Sequence, residues 1–520
     1  CWELSRFPSH LDAIPAGHGV VVATNSDRPA FLRGHAKVDG PAIEMMTNPA
    51  DGRSKLLLVL GRDGNDIAAA AQALALGHVA MSGPLATINS RRDEAPRQAY
   101  DAPRWVRSDR PTRLGELIDY PQQLQSTGHA PLPLKLDLKI APDIFSPADR
   151  GVPMSLRYRY SPPARAGESL LTLSVNDEMV QSYDLSPKPE GSALTARLAR
   201  PDEALLAAER RLQIPTYKLK GQNRLQFAFA FARHQEGPCP DIPPDDTRRA
   251  MIDADSTIDL SGFHHFARMP NLNHFATVGF PFTKYADLSQ TVVVLPDHPS
   301  VHEIESAMTM LGHFGRATGL SASRVRIAGP GEESLLENAD LLVIGSALEQ
   351  GVLANWGSHL PATVNGTVRR ISQPARAINF FYDWLGFMAD SDTTIMSQEK
   401  ISAEGPLALM LGFQSPLTPG RSVIAITATA PDQLWQAISA LGNPELARQI
   451  HGGASFIRGQ KVVSMRVGDD YLIGDLPWWV TVWMPFSVHP LLLALLTIAA
   501  ALLLAMVVWR IRLRRGENNA

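Results

Sequence analysis

The chain has 520 residues, 45% of them apolar and 19% charged, a balance that suits several folded domains and excludes a disordered or collagen-like chain. A formal net charge of −3 leaves no global basic field for nucleic acid, and 2 cysteines, Cys1 and Cys239, exclude a Cys-rich zinc module. The 40 prolines and 38 glycines are scattered, which predicts many turns and short strands rather than a long helical bundle.

The first elements read as an α/β unit. Gly19-Val-Val-Val-Ala23, Gly40-Pro-Ala-Ile-Glu-Met-Met46 and Arg53-Ser-Lys-Leu-Leu-Leu-Val-Leu60 are strand candidates, and Asp66 to Gly77 carries a helical pattern. From about residue 129 the period changes to two: Pro133–Ile140, Ser155–Tyr160 and Leu225–Phe231 alternate strictly. Ser169–Val175 and Met179–Tyr183 flank Asn176-Asp177, a hairpin signature, and Thr257–Ser261 is a further strand. Short alternating strands between turn residues predict a β-sandwich of jelly-roll type over 129–288.

After Gln290 strands and helices alternate again. Gln290–Leu295, Arg324–Ile327, Ala339–Ser346 and Arg421–Thr427 are strand candidates, with helices over Val301–Thr318, Glu333–Asn338 and Pro431–Leu441, the last capped by Asp432 and Gly442. This predicts a parallel sheet covered on both faces. Asp340–Ile344, Gly405–Leu411, Arg421–Ala428 and Asp432–Gly442 repeat the four elements of the first unit in the same order, the signature of a duplicated domain. The second copy carries an insert over 346–404, including Arg376–Leu385, expected to hold an extra packing helix.

Leu491 to Val508 is apolar apart from Thr497 and ends against Arg510, Arg512, Arg514 and Arg515. Eighteen to twenty helical residues span roughly 30 Å, the thickness of a bilayer core. The arginines predict a cytoplasmic end, with everything ahead of the helix outside. Trp478, Trp479 and Trp483 stand where indoles favour the headgroup zone, predicting an interfacial segment over 476–486 before a membrane helix over 487–509 and a tail over 510–520. Thr497, Ala501 and Ala505 recur every four residues and offer one small-residue face for docking another helix.

Catalytic and metal signatures are sparse. His302-Glu303-Ile-Glu-Ser306 starts like a zinc-protease helix, but Ser306 stands where the second ligand is required, so a solvated helix face is expected. Asp253-Ala-Asp255 is expected to be a turn, and His264-His265 to face opposite ways rather than bind a metal. No phosphate-cradling loop or nucleophile elbow occurs. No catalytic, cofactor or metal residue is assigned, and no cofactor is expected.

Asp255–Phe263, Met269-Pro-Asn-Leu272 and Gly279–Leu288, with Val467-Gly-Asp-Asp470 and Gly474-Asp-Leu-Pro-Trp-Trp479, resemble the BcsB family, the periplasmic subunits of bacterial cellulose synthase. The resemblance implies flavodoxin-like α/β domains over 1–128 and 289–475 around a jelly-roll, carbohydrate-binding-like domain over 129–288, with one C-terminal transmembrane helix. It implies a non-catalytic, inner-membrane subunit with its bulk in the periplasm. Its partners would be the polytopic catalytic subunit, nascent β-1,4-glucan, membrane lipid and further copies of itself. Relatives are often labelled cyclic di-GMP-binding, yet the Arg-x-x-x-Arg spacing of the usual receptor domain occurs only at Arg510 and Arg514. The rival class is a membrane-anchored periplasmic polysaccharide-active enzyme. Two further expectations follow. Export would pair Cys1 with Cys239 in a disulfide, a lipid-modified Cys1 being the alternative. The first α/β copy, shorter at its start than the second, would lack its opening strand and follow another jelly roll.

Overall fold

The computed structural model describes residues 14, 16–77, 81–89, 95–128, 131–145, 151–163, 165–187, 205–232, 248–346, 351–365, 368–371, 407–480 and 490–517. The first unit holds β1 (Gly19–Thr24), β2 (Ala42–Thr47), β3 (Lys55–Gly61), α1 (Gly64–Leu76) and β4 (Leu85–Thr87). Its sheet runs β1-β3-β2-β4, with β1 parallel to β3 and β2 antiparallel to both of its neighbours. Asp63 caps α1 by accepting the Asp66 N–H, and Gly77 ends it at φ 61°, a left-handed position that glycine takes at little cost. Ala70 and Ala73 of α1 pack on Ile43 and Val59, while Val21, Ala23, Leu56, Leu58 and Leu60 close the opposite face.

The sandwich follows, with β5 (Thr112–Arg113), β6 (Gln125–Thr127), β7 (Leu134–Lys139), β8 (Ile144–Phe145), β9 (Val152–Tyr160), β10 (Leu170–Val175) and β11 (Glu178–Asp184). It continues through β12 (Leu206–Ile214), β13 (Gln222–Ala230), β14 (Arg249–Ile252) and β15 (Thr257–Ile258). One sheet runs β11-β10-β13-β7; the other runs β5-β15-β9-β14-β6, with β12 also paired to β9. Alternation does what it predicts: Leu134, Leu136 and Leu138 face Leu171, Leu173, Phe227, Leu156 and Tyr158 in one core, and the residues between them face out. Asn176 and Asp177 take positive φ at the tight β10–β11 turn, as the hairpin signature requires. Two features differ from the sequence reading. The sheet already uses Thr112–Arg113 and Gln125–Thr127, ahead of residue 129, and it recruits Leu206–Ile214, whose Ala-Ala-Glu-Arg-Arg run carries no alternation signal.

A linking strand, β16 (His264–Met269), and helix α2 (Leu272–Val278) lead into the second unit. There β17 (Thr291–Val294), α3 (Val301–Thr318), β18 (Arg326–Ala328), α4 (Glu333–Leu336) and β19 (Asp340–Gly345) precede α5 (Val352–Asn355) and a hairpin, β20 (Ala362–Asn365) with β21 (Val368–Ile371). The unit closes with β22 (Ala408–Gln414), β23 (Ser422–Ala428), α6 (Leu434–Gly442), α7 (Pro444–Ala447), β24 (Ala454–Arg458) and β25 (Lys461–Met465). Its sheet order is β18-β17-β19-β23-β22-β24-β25. The first four strands are parallel and the last three antiparallel, so the expected all-parallel sheet is mixed. Every residue of β22 but the last and every residue of β23 is buried; strands covered on both faces have no alternation from which direction could be read. Likewise Gly442 closes the last turn of α6 and Asn443 is its cap. Arg376–Leu385, where an extra helix was expected, lies outside the described residues.

The repeat is present in three dimensions. β19, β23, β22 and α6 stand to one another as β1, β3, β2 and α1 do. The pairing shifts the equivalences by a residue or two from the sequence match, because Val59 and Ile426, not Leu58 and Ile426, share the helix-covered face. Last come β26 (Tyr471–Gly474) and the long apolar helix α8 (Pro490–Glu517).

Candidate functional site

The C-terminal segment leaves the body from one strand. β26 pairs antiparallel with β16, Phe266 opposite Gly474 and Met269 opposite Tyr471, and β16 pairs in turn with β8. Gly474 has φ 80°, and a Cβ there would stand 2.0 Å from the His265 carbonyl oxygen, so only glycine fits. Arg268 and Asp470 form an ion pair with both side chains 5% exposed, and Arg466 reaches the same carboxylate at 3.5 Å. Tyr471 donates its hydroxyl to Ser422 Oγ at 2.7 Å, and the Ser422 N–H donates to Asp340 Oδ1 at 2.9 Å. Burial raises the Tyr471 and Asp340 pKa values; the Ser422 N–H and Arg421 partly offset this for Asp340. A chain leaving here is braced by β16 on one side and by the second sheet on the other.

Beneath β16 a polar hub joins three distant segments. His265 Nδ1 lies 3.0 Å from Asp143 Oδ1, and His265 Nε2 lies 2.7 Å from Ser108 Oγ. Tyr100 donates its hydroxyl to Asp143 Oδ2 and stacks on the imidazole at 3.7 Å and 7°. The phenol is pushed far up by burial and by the Asp143 charge, so it stays a donor. Sequence reasoning set the adjacent histidines facing opposite ways but missed this hub, because Ser108, Asp143 and His265 share no local spacing.

The same linking region clamps the C-terminal end of α3. Trp105 Nε1 donates to the Ala317 carbonyl at 3.1 Å, and Lys139 Nζ donates to the carbonyls of Arg316 and Ala317. A cation there answers the unsatisfied carbonyls and the negative end of the helix dipole. Burial nevertheless pushes the ammonium down to about 8, with Arg104 and Arg316 adding repulsion. At the other end of α3 Glu303 is 3% exposed, which corrects the expected solvated face. Its Oε2 accepts the Ser300 N–H at 2.7 Å and the Ser300 hydroxyl at 2.9 Å, and its Oε1 accepts the Ser346 N–H at 2.9 Å. This carboxylate lines a cleft between the C-terminal ends of β17 and β19, whose other walls include Pro296, Pro330 and Leu353.

Of the residues singled out beforehand, Trp478 and Trp479 are 74% and 58% exposed and meet edge to face at 6.2 Å. Thr497, Ala501, Ala505 and Arg510 are exposed on α8, where the Thr497 hydroxyl donates back to the Ala494 carbonyl. Arg512, Arg514 and Arg515 continue that helix. Cys1, Cys239 and Trp483 lie outside the described residues. Asp253 and Asp255 do not converge; they pair with Arg159 at 3.2 Å and Arg113 at 3.7 Å. Among the described residues no group of three or more His, Cys, Asp or Glu is gathered for a metal, and one helix, over Leu493–Arg510, is long and apolar enough to cross a membrane.

These features define a class: a β-rich, multidomain chain in which a two-sheet β-domain sits between two α/β units and is followed by one apolar helix. Three family models match in order: "Cellulose synthase BcsB, first FD domain" over residues 2–88, "second CBM domain" over 111–257 and "second FD domain" over 265–426. The chain belongs to the BcsB family. It is 36% identical over 518 residues to a "Cyclic di-GMP-binding protein" of Salmonella typhi, covering 98% of this chain and 66% of that one. It is also 36% identical over 517 residues to a protein of the same name from Xanthomonas axonopodis pv. citri, covering 98% and 65%. A "Cellulose synthase 1" of Komagataeibacter xylinus is 31% identical over 529 residues, covering 99% of this chain and 33% of its own length. The chain therefore spans just under two thirds of the first two relatives.

Proposed function

We propose that this chain is a subunit of a bacterial cellulose synthase, non-catalytic in glucan synthesis and anchored in the inner membrane with its bulk in the periplasm, that supports the catalytic subunit and guides nascent β-1,4-glucan. The observation that carries the reading is the ordered match of three BcsB domains on a body whose last strand leads toward one apolar helix. The Komagataeibacter relative favours the partnership, since the region like this chain is a third of a longer protein named a synthase. The second α/β unit is assigned as flavodoxin-like, because the parallel order β18-β17-β19-β23 is the start of that doubly wound arrangement, and the first by its repeat of β19, β23, β22 and α6. The sandwich is assigned as a jelly roll.

The cleft between β17 and β19 is where such a fold would hold a flavin. It does not fit one: Glu303 already accepts the backbone donors there, and its charge would repel a phosphate. The second α/β unit acts as a scaffold. In the membrane, Trp478, Trp479 and Trp483 lie at the outer interface, Arg510, Arg512, Arg514 and Arg515 hold the cytoplasmic end, and the face of Thr497, Ala501 and Ala505 docks on a helix of the catalytic partner.

The test replaces Ala501 and Ala505 with Leu in the full chain expressed with its synthase. Insertion should persist while recovery of a polytopic glycosyltransferase falls severalfold, together with glucan made from UDP-glucose in isolated membranes. Unchanged recovery and synthesis, with insertion confirmed, would reduce α8 to a tether; no recovery from unaltered membranes would refute the subunit assignment.

A further inference from the structure

The hub beneath β16 is ordered as a relay. Asp143 can only accept, so its contact with His265 places the ring proton on Nδ1 and turns the Nε2 lone pair toward the Ser108 hydroxyl, 2.7 Å away. The carboxylate is 3% exposed and fixed from its other oxygen by Tyr100, while the Phe266 N–H donates to the Asp143 carbonyl at 2.7 Å and holds the loop against β16. Tyr100 covers one face of the imidazole and sets its plane. The His265 side chain is 22% exposed and Ser108 is half-buried, so the hydroxyl end of the hub lies nearer the surface than the carboxylate. Ser108 sits in a bend closed by the bidentate Arg107–Asp109 pair, with contacts of 2.8 and 2.7 Å. The order of acceptor, imidazole and hydroxyl is the one that activates a serine nucleophile.

We propose that Ser108, His265 and Asp143 form a nucleophilic triad that cleaves acyl esters. The substrate class is an O-acetyl group on a sugar hydroxyl, a choice that rests on the carbohydrate-binding-module-like reading of the adjoining domain. Ser108 Oγ bonds to the ester carbonyl carbon as its proton passes to His265 Nε2. Collapse of the tetrahedral species breaks the bond to the sugar oxygen, which takes that proton and leaves as the alcohol. Water then attacks the acyl-serine, giving a proton to Nε2 that returns to Oγ as the carboxylic acid departs.

The test treats the full chain in detergent with a fluorophosphonate probe, maps adducts by peptide mass spectrometry, and follows hydrolysis of p-nitrophenyl acetate. The adduct should fall on Ser108 of the folded chain, vanish on heat denaturation, and form at least tenfold more slowly in His265→Gln. Ser108→Ala should abolish both and leave the melting temperature unchanged, which separates a reacting hydroxyl from a packing one. An unlabelled Ser108 beside a labelled reference hydrolase, or equal labelling in His265→Gln, overturns the proposal. Neither readout involves glucan synthesis, so failure here leaves the subunit assignment untouched.

Discussion

His313 sets an acid limit on the second α/β unit. Its imidazole is buried on α3 and 7% exposed. Desolvation pushes its pKa down from 6.5 to about 4, helped by the positive charges of Arg316 and Lys139; the Phe275 backbone opposes this and is outweighed. The folded chain keeps the ring neutral between about pH 6.5 and 4, whereas the unfolded chain protonates it. Protons therefore bind the unfolded state in this window, and stability is lost as pH falls through it. From pH 7.5 to 4.5 the single site contributes a loss of about 2–3 kcal/mol, at about 1.4 kcal/mol for each unit of separation. The assay is amide hydrogen exchange along Val301–Thr318, corrected for the intrinsic rate. Protection should drop roughly 30- to 150-fold more in the unaltered chain than in His313→Leu over that interval. An equal drop in both would refute the argument, because the leucine variant has no proton to take up.

Three more predictions concern the junction. Asp470→Asn removes the buried charge that answers Arg268 and Arg466 and should cost about 3–5 kcal/mol by urea titration, whereas Arg268→Met with Asp470→Leu should recover most of it. Gly474→Ala forces a methyl onto the His265 carbonyl at positive φ, so it should destabilise by more than about 2 kcal/mol and loosen β26 in hydrogen exchange. Lys139 falls from 10.5 to about 8 on folding, so the unfolded chain holds more protons between those values. Stability should rise with pH across that window, and Lys139→Met, measured by thermal unfolding, should lack the rise.

Local signals carried the elements whose chemistry is local. Val301–Thr318 has the bounds its helical spacing predicts, held by Ser300 and Glu303 at one end and Gly319 at φ 77° at the other. Asn176-Asp177 fixed a hairpin for the same reason. Leu206–Ile214 escaped because its alanines and charges favour helix; nine paired positions along β9 make it a strand, with Glu209 opposite Arg157. The hub was beyond reach in a different sense. Its hydroxyl, carboxylate and imidazole come from a bend, the turn before β8 and the linking strand, and only the pairing of β8 with β16 brings the carboxylate to His265. The anchor was the reverse case: its length, lack of charge and terminal arginines state its physics without any fold.

The duplicated units show what a strand pattern leaves open. Pairing places Gly19 opposite Leu56 and Leu341 opposite Val423, so Val20 and Val22 of β1 occupy the places of Leu342 and Ile344 in β19. Leu342 and Ile344 are 0% and 1% exposed beneath α3, in one core with Met310 and Phe314. Val20 and Val22 are 62% and 58% exposed on the face that α1 shares. Both strands read alike in sequence, as short runs of branched apolar residues, and neither says whether a helix lies over it. Covering Val20 and Val22 as fully as their counterparts would contribute about 1–2 kcal/mol for each side chain. That face is therefore the part of the first unit with most to gain from a packed neighbour, and it is defined by comparison within the chain rather than by any motif.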